Sequence, residues 1–279
     1  MHLSTLKEKA NEMRILVIDM LYKIGPEYRG HPGPALSIIE IITCLYFEVM
    51  NIDPLNPKWP DRDRFILSKG HACPALYSAL SMKGYFKKES LYTFRHLDSL
   101  LQGHPDVRKT PGIDMTTGSL GNGLGAGVGM ALSARTDNKD YKVYVLVGDG
   151  EMQEGLVWES LMYAGSMRLN NLVLIIDKNR LQSCGYVAEI VNIDPIDIKL
   201  KSFNWDVIKC DGHDIGNLLN ILKRPASEKP VAIVANTIKG KGISFMENDK
   251  SWHQKAITKE QYEIAMKELI KDKELIINR

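Results

Sequence analysis

The chain has 279 residues, of which 44% are hydrophobic and 25% charged, an ordinary composition for a globular protein long enough to bury a sizeable core. A prior of about 150 residues per domain suggests about two domains, although one large α/β domain fits the length equally well. The 36 basic and 34 acidic residues leave a net charge of +2, which argues against a nucleic-acid-binding surface spread over the whole molecule.

The first part of the chain is helical in pattern. Apolar residues recur at helical spacing over 4–23, and Gly25 and Pro26 end this run. Further along, the pattern predicts helices over 35–49 and 73–83, a polar, proline-rich stretch over 51–64 and a loop over 103–117.

The middle of the chain changes to strands. Residues 141–147 form a short β-rich apolar run, 152–168 are helical in pattern, and 172–176 form a second apolar run. Strand, helix and strand at this spacing are typical of a βαβ unit in a parallel sheet that is buried on both faces. The sequence therefore predicts one α/β domain with a mainly parallel sheet flanked by helices. Its remaining elements are a strand over 231–235, a weaker strand near 205–208 and an exposed, charged helix over 258–271.

Cysteine spacing and the N-terminal segment bear on the compartment. Cys44, Cys73, Cys184 and Cys210 are scattered and include no C-x-x-C pair, which argues against a zinc site or a disulfide framework. The N-terminal segment lacks the apolar core of a signal peptide, and no apolar run approaches the roughly 18 residues of a membrane helix. We therefore expect a cytoplasmic protein with reduced thiols and no membrane span.

Two polar residues follow the strands of the predicted βαβ unit. Asp149 comes directly after the first strand, between Gly148 and Gly150, and Asn179 follows the second. Because polar groups at the carboxyl ends of parallel strands face the crevice where open α/β sheets bind ligands, we expect the two side chains to converge. Their oxygens suit Mg²⁺, and the helix behind Gly150 offers N–H groups to phosphates. A lone Gly-Asp-Gly is more often a simple turn, but Asn179 at the next strand end favours a binding site.

These residues, with others in the same order, carry a family resemblance. Gly148-Asp149-Gly150, closed by Asn179 after the next strand, resembles the thiamine-diphosphate-binding motif. Nearly the whole chain is similar to the transketolase family, through motifs that are weak singly but strong in this order. They are GHPG at 30–33, DRDRFILSKGH at 61–71, GHP at 103–105, TTGSLGNG at 116–123, GDGEMQEG at 148–155, DGHD at 211–214 and KGKG at 239–242. The resemblance implies a thiamine-diphosphate-binding fold, with thiamine diphosphate and Mg²⁺ as cofactors and Ca²⁺ or Mn²⁺ as substitutes for the metal.

The resemblance implies that four histidines are catalytic. In transketolases, the positions that match His31, His71, His104 and His253 line the substrate channel over the cofactor. There they hydrogen-bond the sugar hydroxyls and the diphosphate, and some of them move protons. Imidazole suits these steps because its charge changes near neutral pH. The neighbours of His253 differ from the pattern of the long enzymes.

The resemblance also implies which groups hold the cofactor and the metal. The backbone of Gly118 and Leu120 approaches the aminopyrimidine, and the carbonyl oxygen of Leu181 joins Asp149 and Asn179 as the third metal ligand. The full set implied to bind the cofactor is His71, Gly118, Leu120, Gly148, Gly150, Glu154 and Asn179.

The glycine run over 118–129 also satisfies a degenerate dinucleotide fingerprint, G-x-G-x-x-A, at 121–126. A true fingerprint follows a strand, whereas residues 108–114 contain Pro-Gly and no apolar run. We therefore reject a nicotinamide site and predict a loop that opens a helix of small residues.

Several charged residues can be interpreted in two ways. Glu154 and Glu159 form either a solvated helix face or, as the resemblance implies, part of an acidic relay at a subunit interface. Lys239 and Lys241 either neutralise phosphate or belong to a flexible surface loop. The alternating charges over 61–64 are typical of a structural ion-pair cluster at a solvated turn. Of the other histidines, we expect a structural role for His213 and surface positions for His2 and His96.

The resemblance further implies what this chain lacks. In transketolases, the glutamate that activates the cofactor lies in a pyrimidine-binding domain that follows the diphosphate-binding domain. The sequence shows no second strand-rich half, so we expect residues 1–279 to form a single diphosphate-binding domain. The pyrimidine-binding and C-terminal domains are expected on a separate partner subunit, in an α2β2 heterotetramer. The start at Met1 and the charged terminal helix favour a natural split over a chain cut at a domain boundary.

The sequence thus predicts the N-terminal subunit of a transketolase, which with its partner moves a two-carbon ketol unit from a ketose or ketose phosphate to an aldose. The residues that bind the donor phosphate are expected mostly on the partner, with pentose phosphates as the default substrates. Two alternatives stay open, a subunit of a 2-oxo-acid dehydrogenase decarboxylase and a non-catalytic paralogue that keeps the fold. The histidine set argues against the first, and the intact Asp149 and Asn179 argue against the second.

Overall fold

A five-stranded, wholly parallel sheet forms the centre of the structure, a computed structural model that describes residues 1–225 and 227–277. The strands are β1 (Arg64–Leu67), β2 (Val143–Gly148), β3 (Leu172–Lys178), β4 (Asp206–Asp211) and β5 (Val231–Asn236). They lie in the order β1-β2-β3-β5-β4, so β2 and β3 are neighbours inside the sheet.

Helices cover both faces of the sheet. The α-helices are α1 (Leu3–Lys23), α2 (Pro32–Leu36), α3 (Ile39–Cys44), α4 (Cys73–Lys83), α5 (Asn122–Thr136), α6 (Gly155–Ser166), α7 (Val187–Ile190), α8 (Ile196–Ser202), α9 (Ile215–Leu222) and α10 (Lys259–Ile277). Short segments of 3₁₀-helix occur at Gly70–Ala72, Lys88–Thr93, Gly150–Gln153 and Lys250–Trp252. None of the described helices is both long enough and apolar enough to cross a membrane.

The central strands are buried on both sides, as their continuous apolar runs require. All six residues of β2 are buried, and their side chains alternate between two hydrophobic clusters. Tyr144 and Leu146 join the cluster closed by α1, α3, α4, α9 and α10. Val143, Val145 and Val147 join the cluster closed by α5, α6 and α8. The sheet is therefore the middle layer of three.

This architecture confirms the predicted α/β class and most of its elements. The predicted helices over 4–23, 73–83 and 258–271 are α1, α4 and α10, and the small-residue helix after the glycine run is α5. The predicted strands over 141–147, 172–176, 231–235 and near 205–208 are β2, β3, β5 and β4, and 103–117 form a loop. Boundaries differ by a few residues, as expected for element ends.

The single helix predicted over 35–49 is wrong. The chain forms α2, breaks at Ser37 and Ile38, and resumes as α3 and a π-helical turn at Leu45–Val49. Ile38 has a φ of −113°, and Ser37 Oγ lies 3.0 Å from the carbonyl oxygen three residues earlier and 2.8 Å from Asp177 Oδ2. A hydroxyl bonded in this way competes with the helix. The break cannot be recognised from the sequence, because the residues on both sides of it are buried and the apolar pattern does not change there.

Two further local features escaped the sequence analysis. Strand β1 was not predicted, because four residues at the edge of a sheet are too few to show a period. The helix predicted over 152–168 begins instead as the 3₁₀ turn Gly150–Gln153 and becomes α-helical only at Gly155.

Candidate active site

Asp149 and Asn179 lie at adjacent strand ends. The carboxylate of Asp149 accepts backbone N–H groups of Gly150 at 2.8 Å and of Arg180 at 2.5 Å. Asn179 Oδ1 accepts the N–H of Leu181 at 3.0 Å. Because β2 and β3 are parallel neighbours that end at the same edge of the sheet, both side chains face one cleft.

This cleft, of about 350 Å³, brings together every residue that the sequence analysis placed in the site. The predicted residues that line it are His31, His71, His104, Gly118, Leu120, Gly148, Asp149, Gly150, Glu154, Asn179, Leu181 and His253. They come from loops at the carboxyl edge of the sheet and from the segments before α2, α4 and α5. Residues far apart in sequence thus share one cavity.

Three of the histidines form a triangle in the cleft. Ring centroids are 5.1 Å apart for His31 and His71, 5.5 Å for His31 and His253, and 5.1 Å for His71 and His253. His104 stands on another wall, where its ring packs against Gly118. Gly118 has a φ of +146°, and a Cβ there would lie 3.1 Å from His104 Cγ, so glycine suits both the backbone and the close approach.

All four imidazoles are neutral at neutral pH. Burial, with smaller contributions from nearby cations, lowers the pKa of His31 to about 4 and that of His253 to about 3. Burial likewise lowers the pKa of His71 well below its usual value and shifts the pKa of His104 in the same direction. A neutral imidazole offers one donor and one acceptor, which suits sugar hydroxyls and the transfer of a proton.

A buried ion pair, which the sequence analysis missed, lies beneath the cleft. Lys69 Nζ is 2.5 Å from Asp177 Oδ2, and the same oxygen accepts a hydrogen bond from Asn179 Nδ2 at 2.7 Å. Burial alone would raise the pKa of Asp177, but the charge and hydrogen bond of Lys69 hold it below its usual value. Because Asp177 takes the NH₂ group of Asn179, the amide oxygen is turned the other way.

The structure separates the two lysines of the KGKG motif. Lys239 is buried in the cleft, where its Nζ lies 2.9 Å from the carbonyl oxygen of Leu181 and 2.9 Å from His253 Nδ1. Burial, with Lys69 nearby, lowers the pKa of Lys239 to about 8. Lys241 lies outside the cleft and pairs with Glu247 at 3.1 Å. Of the two interpretations left open by the sequence, the cleft geometry fits phosphate neutralisation for Lys239 alone.

Glu151 is another buried charge that the sequence analysis missed. One carboxylate oxygen accepts hydrogen bonds from the hydroxyl of Ser68 at 2.5 Å and from the N–H of Gly121 at 2.9 Å. The other accepts a hydrogen bond from the N–H of Gly148 at 3.1 Å. The side chain thus joins the loops that follow β1 and β2 to the start of α5. Nothing in the local pattern distinguishes Glu151 from an exposed helical glutamate, so only its hydrogen bonds to the two distant residues Ser68 and Gly121 reveal this role.

The groups around Asp149 fit a hard divalent cation. Asp149 is 3% exposed and forms no ion pair with any described residue, and burial together with Asp177 raises its pKa to about 6. The described residues contain no cluster of three or more His, Cys, Asp or Glu side chains placed to hold a metal. A cation here would therefore use one carboxylate, the amide oxygen of Asn179, the carbonyl oxygen of Leu181 and ligands from the cofactor.

The remaining glutamates and histidines have separate positions. Glu154 lines the cleft, whereas Glu159 is exposed on α6. His213 is structural, because its Nδ1 lies 2.9 Å from Glu40 Oε2 and its Nε2 accepts the N–H of Ile238 at 2.8 Å. His2 is exposed as predicted. The surface prediction for His96 is wrong, since its ring is partly buried, with its centroid 4.8 Å from that of Tyr28.

The solvated ion-pair turn predicted over 61–64 is wrong in part. Asp61 does form an exposed pair, with Lys139. Arg62, however, is largely buried and pairs with Asp114, which lies on the loop before the glycine run. Asp63 is 8% exposed, and its carboxylate accepts hydrogen bonds from the backbone N–H groups of Asn51 and Lys142. The partners of Arg62 and Asp63 lie outside the turn. The alternating charges within the turn therefore did not indicate that these two side chains are buried.

Comparison with known proteins identifies the family. A family model described as the thiamine diphosphate binding domain of transketolase matches residues 5–274. The chain belongs to the transketolase family. It is 45% identical over 269 residues to the 6-deoxy-6-sulfo-D-fructose transketolase subunit SqwG of Clostridium sp., covering 96% of this chain and 97% of that protein. It is 40% identical over 271 residues to one of the subunits of the apulose-4-phosphate transketolase of Phocaeicola vulgatus, covering 96% and 95%.

A solved transketolase has the same fold over part of its length. The structure of transketolase from Campylobacter jejuni superposes with a TM-score of 0.89 at 32% identity, covering 96% of this chain. This chain spans only 43% of that protein. The expected transketolase resemblance and the thiamine-diphosphate-binding fold are thereby confirmed, and the family match favours a transketolase over a 2-oxo-acid dehydrogenase subunit.

Proposed function

We propose that this chain is the N-terminal subunit of a thiamine-diphosphate-dependent transketolase, active only with a second subunit. In this proposal residues 1–279 form a single diphosphate-binding domain. One observation carries it most directly: in a chain of the transketolase family, the buried carboxylate of Asp149 shares a cleft with Asn179 and four neutral histidines. The reaction is the transfer of a two-carbon ketol unit from a ketose to an aldose.

The proposed cofactor site uses groups that already face the cleft. Asp149, Asn179 and the carbonyl oxygen of Leu181 would hold Mg²⁺, or Ca²⁺ or Mn²⁺ in its place. When bound, thiamine diphosphate supplies the carbanion chemistry of ketol transfer. The positive charge of Lys239 suits the diphosphate. The remaining cofactor-binding positions in this proposal are His71, Gly118, Leu120, Gly148, Gly150 and Glu154.

The contact with Lys239 fixes the tautomer of one histidine of the triangle. Because Lys239 donates to Nδ1 of His253, the proton of this neutral imidazole lies on Nε2. His253 therefore presents an N–H donor at Nε2 to a substrate hydroxyl. His31 stays neutral well below pH 7, and burial lowers the pKa of His104 as well, so both can accept a proton at neutral pH without first losing one.

The proposed partner subunit would carry the pyrimidine-binding domain and the glutamate that activates the cofactor. Two relatives are named as subunits, and the solved transketolase is more than twice as long as this chain. Helix α6 and the residue that caps its C-terminus also expose large apolar side chains, which is typical of an interaction surface. They are Leu156, Met162, Tyr163 and Met167, each at least 40% exposed. An α2β2 assembly, with Glu154 and Glu159 at the interface, is part of this proposal.

The sugar in this proposal carries an acidic group. The two relatives are named for a sulfonated ketose and for a ketose phosphate, so pentose phosphates are not carried forward as the default substrates. A panel of neutral, phosphorylated and sulfonated ketoses, assayed with a common aldose acceptor, tests this part.

The decisive experiment reconstitutes this chain with its partner and measures ketol transfer with Mg²⁺ and thiamine diphosphate. We expect Asp149→Ala to abolish activity and cofactor binding by calorimetry, and Asp98→Ala, at an exposed aspartate, to leave both unchanged. Full activity in Asp149→Ala would refute the metal assignment, and turnover by this chain alone would refute dependence on a partner. Pyruvate oxidation with an artificial electron acceptor would instead indicate a 2-oxo-acid dehydrogenase.

A further inference from the structure

Arg95 holds a guanidinium group between two segments that lead into the cleft. Its Nη1 donates a hydrogen bond of 2.6 Å to the carbonyl oxygen of Arg29, two residues before His31. On the other side, a Cβ placed on Gly103 would lie 3.1 Å from Arg95 Cζ, and His104 follows directly. The guanidinium is therefore packed between the backbone that carries His31 and the backbone that carries His104.

The backbone of Arg95 is held in an uncommon conformation at this place. Its φ is +68°, in the left-handed region that side chains other than those of glycine, asparagine and aspartate seldom adopt. The N–H of Arg95 donates to the carbonyl oxygen of Leu101 at 2.9 Å, which closes the loop around this conformation. The strained loop directs the long side chain back toward the histidines.

The charge of Arg95 has no carboxylate partner among the described residues. It forms no ion pair there, and of the five N–H groups of a guanidinium only one, at Nη1, is hydrogen-bonded. The guanidinium also lies near enough to both histidines for its positive charge to contribute to lowering the pKa values of His31 and His104. A half-buried guanidinium without a counter-charge, beside a substrate cleft, suits an anionic ligand.

Two other cationic residues adjoin the same segment. Arg29 and Lys255 are exposed, and the N–H of Lys255 donates to the carbonyl oxygen of Gly30 at 3.1 Å. Neither forms an ion pair with a described residue. By contrast, the lysines deeper in the cleft are engaged, Lys69 by Asp177 and Lys239 by His253 and a carbonyl oxygen. In a chain with a net charge of +2, this rim is a local excess of positive charge.

We infer that Arg95 binds the terminal oxyanion of the sugar substrate, a phosphate ester or a sulfonate, at the rim of the cleft beyond His31 and His104. The inference rests on the proposed function and adds a specificity residue on this subunit, where the sequence analysis expected such residues mostly on the partner. The planar guanidinium can give two parallel N–H bonds to a tetrahedral oxyanion, which lysine cannot reproduce. The bond to Arg29 fixes the plane of the group.

The test uses the complex of this chain with its partner and compares three ketose donors. They are a neutral ketose, its phosphate ester and the corresponding sulfonated ketose, with one neutral aldose as acceptor. For Arg95→Gln we expect kcat/KM to fall about tenfold to a hundredfold for the two charged donors and to stay within about twofold for the neutral one. Arg95→Lys should recover part of the loss for both charged donors. Arg224→Gln, at an exposed arginine near the opposite edge of the sheet, is the control.

The outcomes separate the inference from the proposed function. An equal loss for neutral and charged donors would show that Arg95 only fastens the loops, and would overturn the inference while ketol transfer stands. A loss confined to the phosphate or to the sulfonate supports the inference and identifies which oxyanion the site binds. If the wild-type complex transfers no ketol unit, the proposed function fails.

A second measurement on the full chain alone keeps the inference testable in that case. Inorganic phosphate is titrated at constant ionic strength while the imidazole resonances of His104 are followed by NMR. We expect saturable shifts in the wild-type chain that disappear in Arg95→Gln and persist in Arg224→Gln. Identical shifts in the wild type and Arg95→Gln, or no shifts in either, would overturn the inference.

Discussion

Lys69 and Asp177 form an ion pair from which solvent is excluded, with Nζ 2.5 Å from Oδ2 and side-chain exposures of 3% and 0%. The same carboxylate oxygen lies 2.8 Å from Ser37 Oγ and 2.7 Å from Asn179 Nδ2. One buried charge pair thus connects the break between α2 and α3, the end of β1 and the end of β3. It also fixes the orientation of an amide whose oxygen faces the proposed metal site.

Replacing Asp177 by leucine should therefore destabilise the fold by about 3–5 kcal/mol, because the ammonium group of Lys69 would stay buried without a counter-charge. The double variant Lys69→Met/Asp177→Leu should recover part of that loss, since it removes the buried ammonium group together with its partner. The remainder persists because Ser37, Asn179 and Thr237 lose the carboxylate that accepts their hydrogen bonds. Urea unfolding of the two variants measures both values. Lys259→Met, which removes an exposed pair with Glu263, should change stability by less than about 0.5 kcal/mol.

The same double variant separates stability from the site. Although this variant buries no unpaired charge, Asn179 has lost the acceptor that orients its amide, so thiamine diphosphate and Mg²⁺ should bind the complex about 10- to 100-fold more weakly. Calorimetry on the reconstituted complex checks this. Wild-type affinity in the double variant would show that Asp177 does not position Asn179.

Lys239 and Lys241 offer a matched pair within one motif. Lys239→Met removes a buried charge that faces the cleft, and we expect the affinity for thiamine diphosphate to fall at least about tenfold. Lys241→Met removes a partly exposed charge paired with Glu247 and should leave the affinity within about twofold. Calorimetry on the complex compares them, and equal effects of the two substitutions would contradict the assignment of Lys239.

Stability should fall with acid because of the buried histidines. The unfolded His31 imidazole takes up a proton below about pH 6.5, whereas the folded one stays neutral down to a pKa of about 4. Its contribution is therefore complete above pH 6.5 and is lost as the pH falls toward 4, by about 2 kcal/mol between pH 7 and pH 5. Urea unfolding of the chain over this range should give a smaller slope for His31→Gln than for the wild type. The exposed His2→Gln variant should keep the wild-type slope, and unchanged slopes in both would contradict the shift.

Two helical glycines should respond in opposite directions to alanine. A Cβ at Gly165 in α6 would lie 1.8 Å from the carbonyl oxygen of Phe203, so Gly165→Ala should destabilise the chain by at least about 1–3 kcal/mol. A Cβ at Gly129 in α5 meets nothing within 4 Å, so Gly129→Ala should stabilise the chain by about 0.5–1 kcal/mol. Urea unfolding of the isolated chain compares them, and the same sign for both would refute the packing argument.

The central strands of the sheet were predictable because each is a short, continuous apolar run in the sequence. β2 and β3 are continuous apolar runs separated by one amphipathic helix, which is the local mark of a parallel unit covered on both faces. β1 and the break at Ser37 were not predictable. A four-residue strand shows no period, and a break inside a wholly buried segment changes no residue from apolar to polar.

The sequence by itself also predicted where the candidate site lies, because Asp149 and Asn179 stand directly after two successive strands. Parallel pairing then brings these strand ends to one edge whatever the rest of the chain does.

Only the tertiary structure decided the partners of the charged residues. Lys69 meets Asp177 across 108 positions, Arg95 meets Arg29 across 66, and Lys239 enters the cleft while Lys241, two residues on, does not. The physical reason is that the effect of a charge depends on burial and on what lies within about 4 Å. The chain brings those neighbours together only when the layers pack on the sheet.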